Sequence, residues 1–471
     1  MRKIWWMAAL AVVIVAGVRC KRSNGAYCDD TRPCPSGFAC DTVARECHVS
    51  SLNGADLAGT STDMAGCTCS NPTPICVAMQ CVSCLSTSDP DGACAAASPS
   101  APHCDPSGNC VACRDANDCS GTTPFCDATT QVCRGCIADA ECPSLVCDLT
   151  PGTATHQCVP ASNVVYADAA GPNGDGKTAA TAKAKIMDAI NVAVGLNPAR
   201  LYVHVAAGTY DEGTGVGGAN NTVYLVGADG AFIHRTSPGD ILGAQNMGTL
   251  TVRHIKATAD KGNAANCQAG GTLTIYDSQL VGSSQYGVYT LSPCTLTLDG
   301  VFIDHNSSAG VSVSSDFTII NSIITNNMGA GGLTQPVVAT KMTFANNTVA
   351  DNTSGAIGAG GVSCNMAGTF EVNNTILYNN MQGGTIKETT CTGSFNASDD
   401  PSAGPQSTVD LTMQMPGFKQ GAMVTPDYYH LLPTSPCVGE GSGMFAPDHD
   451  FDGNPRPTPS TGKFDIGADQ L

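Results

Sequence analysis

The sequence predicts an all-β chain: a parallel β-helix solenoid preceded by small disulfide-stapled modules. Three observations predict it. Only 13% of the 471 residues are charged, against about 25% in an ordinary globular protein, and Gly, Ser, Thr and Asn fill the difference, the mark of a turn-dense surface. Twenty-one of the 26 cysteines fall before residue 160. From residue 249 onward the chain repeats itself, in stretches such as "LTIYDSQLVGS", "LTLDGVFIDHN" and "FTIINSIITNN".

The repeat sets the architecture. Copies begin at Leu250, Leu273, Leu296, Phe317, Met342 and Phe370, 21 to 28 residues apart, a period that belongs to solenoids. Two residues on stand Val252, Ile275, Leu298, Ile319, Phe344 and Val372. Period-two apolarity kept in every copy describes a strand with one face always buried. After a bend, Leu280, Ile303, Ile324, Val349 and Leu377 form another inward column. A helical repeat would need a 3.6 period, which is missing. Each copy is therefore one coil, stacked on the next at about 4.8 Å.

Other columns fit the same stacking. Asn306, Asn327, Asn352 and Asn380 share one turn position, and Asn321, Asn346 and Asn374 share another. Asparagine tolerates left-handed backbone and can bond the amide one rung away, so these ladders are assigned to structure. Cys267 and Cys294 are 27 residues apart, as are Cys364 and Cys391, which places each pair on neighbouring rungs within disulfide reach. Upstream, Ile186, Ala189, Ile190, Ala193 and Val194 lie on one helical face, fit to cap the first coil.

The beginning of the chain reads as an export signal. Arg2 and Lys3 precede an apolar run from Ile4 to Val18, so residues 1–19 are a signal peptide, too short for a lasting membrane span. The following cysteines sort into groups of four: 28/34/40/47, 67/69/76/81, 84/94/104/110, 113/119/126/133 and 136/142/147/158. These give a first module over 20–50, a linker over 51–66 and four modules over 67–160. Zinc would need reduced thiolates, whereas an exported chain meets an oxidising compartment, and modules with so few large apolar residues need staples. Two disulfides per module are expected, with their connectivity open.

Several stretches resemble known families. Cys20, ending the signal, resembles the acylated cysteine of bacterial lipoproteins, although Arg19 stands where a small residue is usual; lipidation is left open. "CRDANDCSGTTPFCDATTQVC" resembles the four-cysteine repeats of bacterial surface proteins. The stretch from "VVYADAAGPNGDGKT" resembles the entry into the pectin-lyase-like superfamily, and "DHDFDGNPRPTPSTGKFDIGADQ" resembles the closing segment of choice-of-anchor Q proteins. The resemblance implies a right-handed parallel β-helix over 161–471 with an N-terminal capping helix, a closing segment over 428–471, an Arg456–Asp465 pair within it, and cell-surface biology.

Chemistry is harder to read. Enzymes of that superfamily are polysaccharide lyases or glycoside hydrolases. "RHIK", Arg253 to Lys256, is interrupted by His254 relative to a hydrolase substrate motif, and the accompanying paired aspartates are missing, so no role is carried over. Asp304, His305 and Asp351 form a weak catalytic candidate, two rungs or about 9.6 Å separating the carboxylates, at the outer edge of an inverting pair; solvated turn residues are the plainer account. Asp448, Asp450 and Asp452 have the oxygen spacing of a calcium loop but lack its closing glutamate, leaving Ca2+ as the one cofactor to consider. Thr249/Thr251, Thr272/Thr274 and Thr295/Thr297 make an outward stripe that breaks at Asp316, Lys341 and Glu371.

A net charge of −18 disfavours nucleic acid. The expectation is an exported protein, at the outer membrane, the cell surface or outside the cell, touching membrane only through a lipid anchor. It would serve as a non-catalytic adhesion or recognition surface for polysaccharide or another surface component. The alternative is a polysaccharide lyase or hydrolase.

Overall fold

The computed structural model describes strands 38–41 and 46–49 and, from residue 69, all but 78–79, 150–154, 197–200, 336–339, 356–357, 365–369, 401–406, 420, 422–424 and 458–462. The signal, Cys20 and the linker lie outside the described residues. Two compact units emerge: 1–118 with 126–133, and 119–125 with 134–471. Among the described residues no helix is long and apolar enough to cross a membrane.

The first unit is held by covalent bonds more than by a core. Cys84 bonds Cys104 and Cys94 bonds Cys110, first to third and second to fourth, which settles the connectivity of that module. The same order appears in the second unit, where Cys136 bonds Cys147 and Cys142 bonds Cys158. A helix, Pro90–Ala97, starts where the Asp89 side chain caps the Gly92 amide, and its Cys94 is fully buried. Cysteines dominate the small apolar cluster there, as expected where too few large side chains exist to fold unaided.

The second unit is a right-handed parallel β-helix. Three stacks of parallel strands form its walls. In the first, Leu250 pairs with Leu273, Leu273 with Leu296, Leu296 with Phe317 and Phe317 with Met342. In the second, Ile303 pairs with Ile324, Ile324 with Val349 and Val349 with Leu377. All these columns belong to one apolar core, as do Ile186, Ala189, Ile190 and Ala193 of the helix Ile186–Leu196. Val194 departs from expectation and is exposed, because the helix turns it off the end of the core. The buried Glu212 carboxylate accepts the Ile186 amide and caps that helix.

Coils also run upstream of the first legible repeat. Strands Leu201–Val205 and Thr222–Gly227 stack under Thr249–Arg253 in the first wall. They lack the expected alternation because their outer face is covered too: Tyr166, Tyr202, Tyr224 and Val226 pack against Val146 and Val159 of the last cysteine module. A strand buried on both faces reads as a continuous apolar run.

Inside the stack, the asparagines of the first turn column are wholly buried. Asn327 Oδ1 accepts the Asn306 amide at 3.0 Å and Asn306 Nδ2 at 2.9 Å; Asn352 receives the same two bonds from Asn327, and Asn380 from Asn352. Each Nδ2 also reaches a carbonyl of an adjacent coil, such as Ile303 or Ile324. The ladder ends on Glu388, which accepts the Asn380 amide and whose burial holds its carboxyl well above the ordinary range. Disulfides Cys267–Cys294 and Cys364–Cys391 tie neighbouring rungs, with Cα atoms 6.0 and 5.2 Å apart. Cys437 is free and buried, its thiol pushed up to about 12 by desolvation.

The closing segment is a strap with little regular structure, laid along the outside of the second wall. Tyr429 and Ala468 bury against Phe302, Ile323 and Ala350. Gly467 donates to the Asn374 carbonyl, the Ala468 amide to Thr348 Oγ1, and Asn374 exchanges bonds with Ser442. The second asparagine column is thus only partly a ladder: Asn374 bonds Asn346, but its main work is to dock the strap. The Arg456–Asp465 pair takes another form. Arg456 donates to Asn321 and to the Gly467 and Ala468 carbonyls, while Asp465 accepts the Gly439 and Leu471 amides.

Candidate functional site

A cleft of about 810 Å³ opens in the second unit, between the last cysteine module and the strap, with the coils as its floor. The module contributes Ile137, Asp139 and Leu149, the coils His204, Arg253, His254 and Asp277, and the strap Phe451 and Asp452. A volume of this order suits a small molecule or a few sugar units.

The floor is built by stacking. Arg253 pairs in register with Tyr276, and Tyr276 with Asp299, all outward on the first wall. The guanidinium lies 5.6 Å from the Tyr276 ring centroid. The next residues, His254 and Asp277, occupy one turn column at φ 54° and 46°, the position that holds Gly300 and Asn321 further up. Asn, Asp and His adopt left-handed backbone more readily than other side chains do, so the turn column accepts His254 and Asp277.

Arg253 is 1% exposed. Its Nη2 donates to Asp139 and to the Cys147 carbonyl, while Nε and Nη1 are buried without a hydrogen-bond partner. The second oxygen of Asp139 is likewise buried and unbonded, 3.7 Å from His254 Nδ1. On the other side His254 Nε2 lies 3.8 Å from Asp277. The cleft walls crowd Asp277 and raise its carboxyl, an effect that His254 opposes, while 45% of its side chain stays in solvent. Burial lowers His204, which therefore sits neutral in the wall. The described lining holds four carboxylates, Asp139, Asp229, Asp277 and Asp452, against one permanent cation, Arg253.

Of the residues singled out from the sequence, Arg253, His254 and Asp452 line the cleft, and Asp304, His305 and Asp351 lie elsewhere. Asp304 is buried and accepts His305 Nδ1 at 2.6 Å and Asn326 Nδ2 at 3.0 Å. Asp351 accepts Asn379 Nδ2 at 2.7 Å and the Tyr429 hydroxyl at 3.0 Å. Asn326 reaches the same hydroxyl at 3.3 Å, so a strap tyrosine is inserted where an inverting pair would place its water. Asp351 anchors the strap, and Asp304 reaches it only through Asn326. The calcium-loop aspartates are engaged separately: Asp448 with His449, Asp452 with His430, and Asp450 with the amides of Asp452, Asn454 and Gln470. Asp450 organises the turn, and the structure does not gather the three around one point. The threonine stripe is real as a register, Thr251 over Thr274 over Thr297, and continues outward at Thr318 and Thr343.

The cleft residues were not assembled from the sequence because Asp139 and Arg253 are 114 positions apart. The one local signal was His254 and Asp277 standing in a turn column otherwise given to glycine and asparagine.

Residues 218–397 match the model of a right-handed β-helix region, and residues 50–164 match a family of unknown function, DUF8331. The crystal structure of pectate lyase Pel9A resembles this chain over 65% of its length and 96% of the lyase, at 11% identity and a TM-score of 0.33. No curated protein matches this chain.

Proposed function

We propose that the protein is an exported recognition module that holds a hydroxyl-rich, uncharged stretch of polysaccharide in the cleft without cleaving it. The observation that carries this reading is the charge of the lining. With four carboxylates around one guanidinium, a polyuronate would be repelled, whereas sugar hydroxyls find acceptors on Asp229 and Asp277. Phe451 offers an apolar face for a ring. Arg253 is already committed to Asp139 and the Cys147 carbonyl, which argues against its use as a proton-abstracting base. Export agrees with the apolar run behind Arg2 and Lys3 and with the many disulfides.

A hydrolase reading rests on Asp277, a half-exposed carboxyl on the cleft floor. Incubating the disulfide-bonded mature chain with neutral and uronate oligosaccharides, and reading both binding and released ends, separates the two. Binding of a neutral glycan with no new ends supports recognition. Turnover lost in Asp277→Asn would replace it with hydrolysis, and preference for uronates would contradict the reading of the charge.

A further inference from the structure

We propose that His430, Asp452 and Asp469 form a divalent-metal site of the zinc type, which cross-links the strap at the rim of the cleft. The ligand atoms of these residues lie within 4.8 Å of one another, although the residues come from three separate stretches of the strap. Zinc-bound nitrogen and oxygen atoms stand about 2.0–2.2 Å from the metal, hence about 3.3–3.6 Å apart in a tetrahedron. Adjustments of an ångström or less would close the set around one ion.

The imidazole is oriented for this. His430 is 6% exposed, and its Nδ1 lies 3.1 Å from the Asp427 carbonyl. A carbonyl only accepts, so Nδ1 carries the proton and Nε2 faces Asp452 Oδ2 at 2.8 Å. Such a backbone bond behind the imidazole is the usual support of a metal-binding histidine. In that tautomer Nε2 turns its lone pair toward Asp452, the arrangement a shared ion would bridge.

Charge around the site points the same way. Asp469 is 6% exposed, with Asp450 and Asp452 as its acidic neighbours. It spends one oxygen on the Leu431 amide. Two carboxylates and an imidazole neutralise a divalent ion. A nitrogen ligand selects a first-row metal over Ca2+. Asp452 is 46% exposed at its side chain and lines the cleft, so an open coordination position would face whatever the cleft holds.

The site does not depend on what the cleft binds, so its test uses metal alone. The mature chain is stripped with a chelator, checked for native circular dichroism and titrated with Zn2+ and with Ca2+; Co2+ substitution supplies a ligand-field spectrum. One equivalent of Zn2+ is expected, weakened at least about tenfold in His430→Ala and in the half-exposed Asp452→Asn. Asp452→Asn guards against a histidine variant that fails to fold. Absence of Zn2+ binding by the folded chain would overturn the proposal. So would Ca2+ preference that survives His430→Ala, or Zn2+ binding indifferent to both substitutions.

Discussion

The coil interior and the strap that lies on it are held by different means. Between residues 250 and 380 each coil repeats the last: the same apolar columns face in, and each buried asparagine hands its amide to the next. The strap repeats nothing. It is fixed by single bonds of unlike kinds, among them Tyr429 to Asp351, Arg456 to two carbonyls, and His449 to Asp299. A periodic interior makes stability a sum over equivalent neighbours. An irregular strap rests on a local apolar patch and on single polar contacts, some of which titrate. That difference makes the two regions separable by experiment.

The ladder is where the largest loss is expected. Asn327→Ala would leave the Asn306 backbone amide and one Nδ2 hydrogen, both fully buried, without an acceptor, at about 1–3 kcal/mol each. Urea unfolding should show a loss of about 2–6 kcal/mol in total. Little change would mean that the ladder is incidental. Next comes the apolar column. Leu296→Ala should cost about 2–5 kcal/mol, measured the same way, since Leu296 is wholly buried between Leu273 and Phe317.

The strap should respond to pH while the coils do not. Bonding first to Asp299, and also to Asp448, raises His449 from 6.5 to about 9. A raised histidine contributes its stability in full below its unfolded value and loses it as pH climbs through the folded one. Proteolytic cutting within the strap should therefore increase from pH 6.5 toward 9. His449→Gln should give faster cutting already at low pH, with most of the slope removed. Coil cleavage rising in parallel would show that the two regions do not act separately.

Legibility follows the same division. Leu250, Leu273 and Leu296 announced the coils because each coil buries the same face. The strands at 201 and 222 did not, because Tyr202, Tyr224 and Val226 are outward residues covered by the cysteine module, which erases the alternation. Asp304 and Asp351 attracted notice through their column, yet Tyr429, 78 positions beyond Asp351, determines what they do. The cleft was hidden for the same reason: Asp139, Arg253 and Asp452 meet only after folding. Sequence periodicity reports neighbours one coil apart and is silent about contacts that occur once.

The reading of function stands on the cleft floor rather than on the outward threonine stripe, and binding of a neutral oligosaccharide distinguishes the two surfaces. Affinity should fall at least about tenfold in Asp277→Asn, about the worth of one charge-assisted hydrogen bond, and stay unchanged in Thr274→Ala combined with Thr297→Ala. Binding that persists in Asp277→Asn and disappears with the threonines would contradict the account.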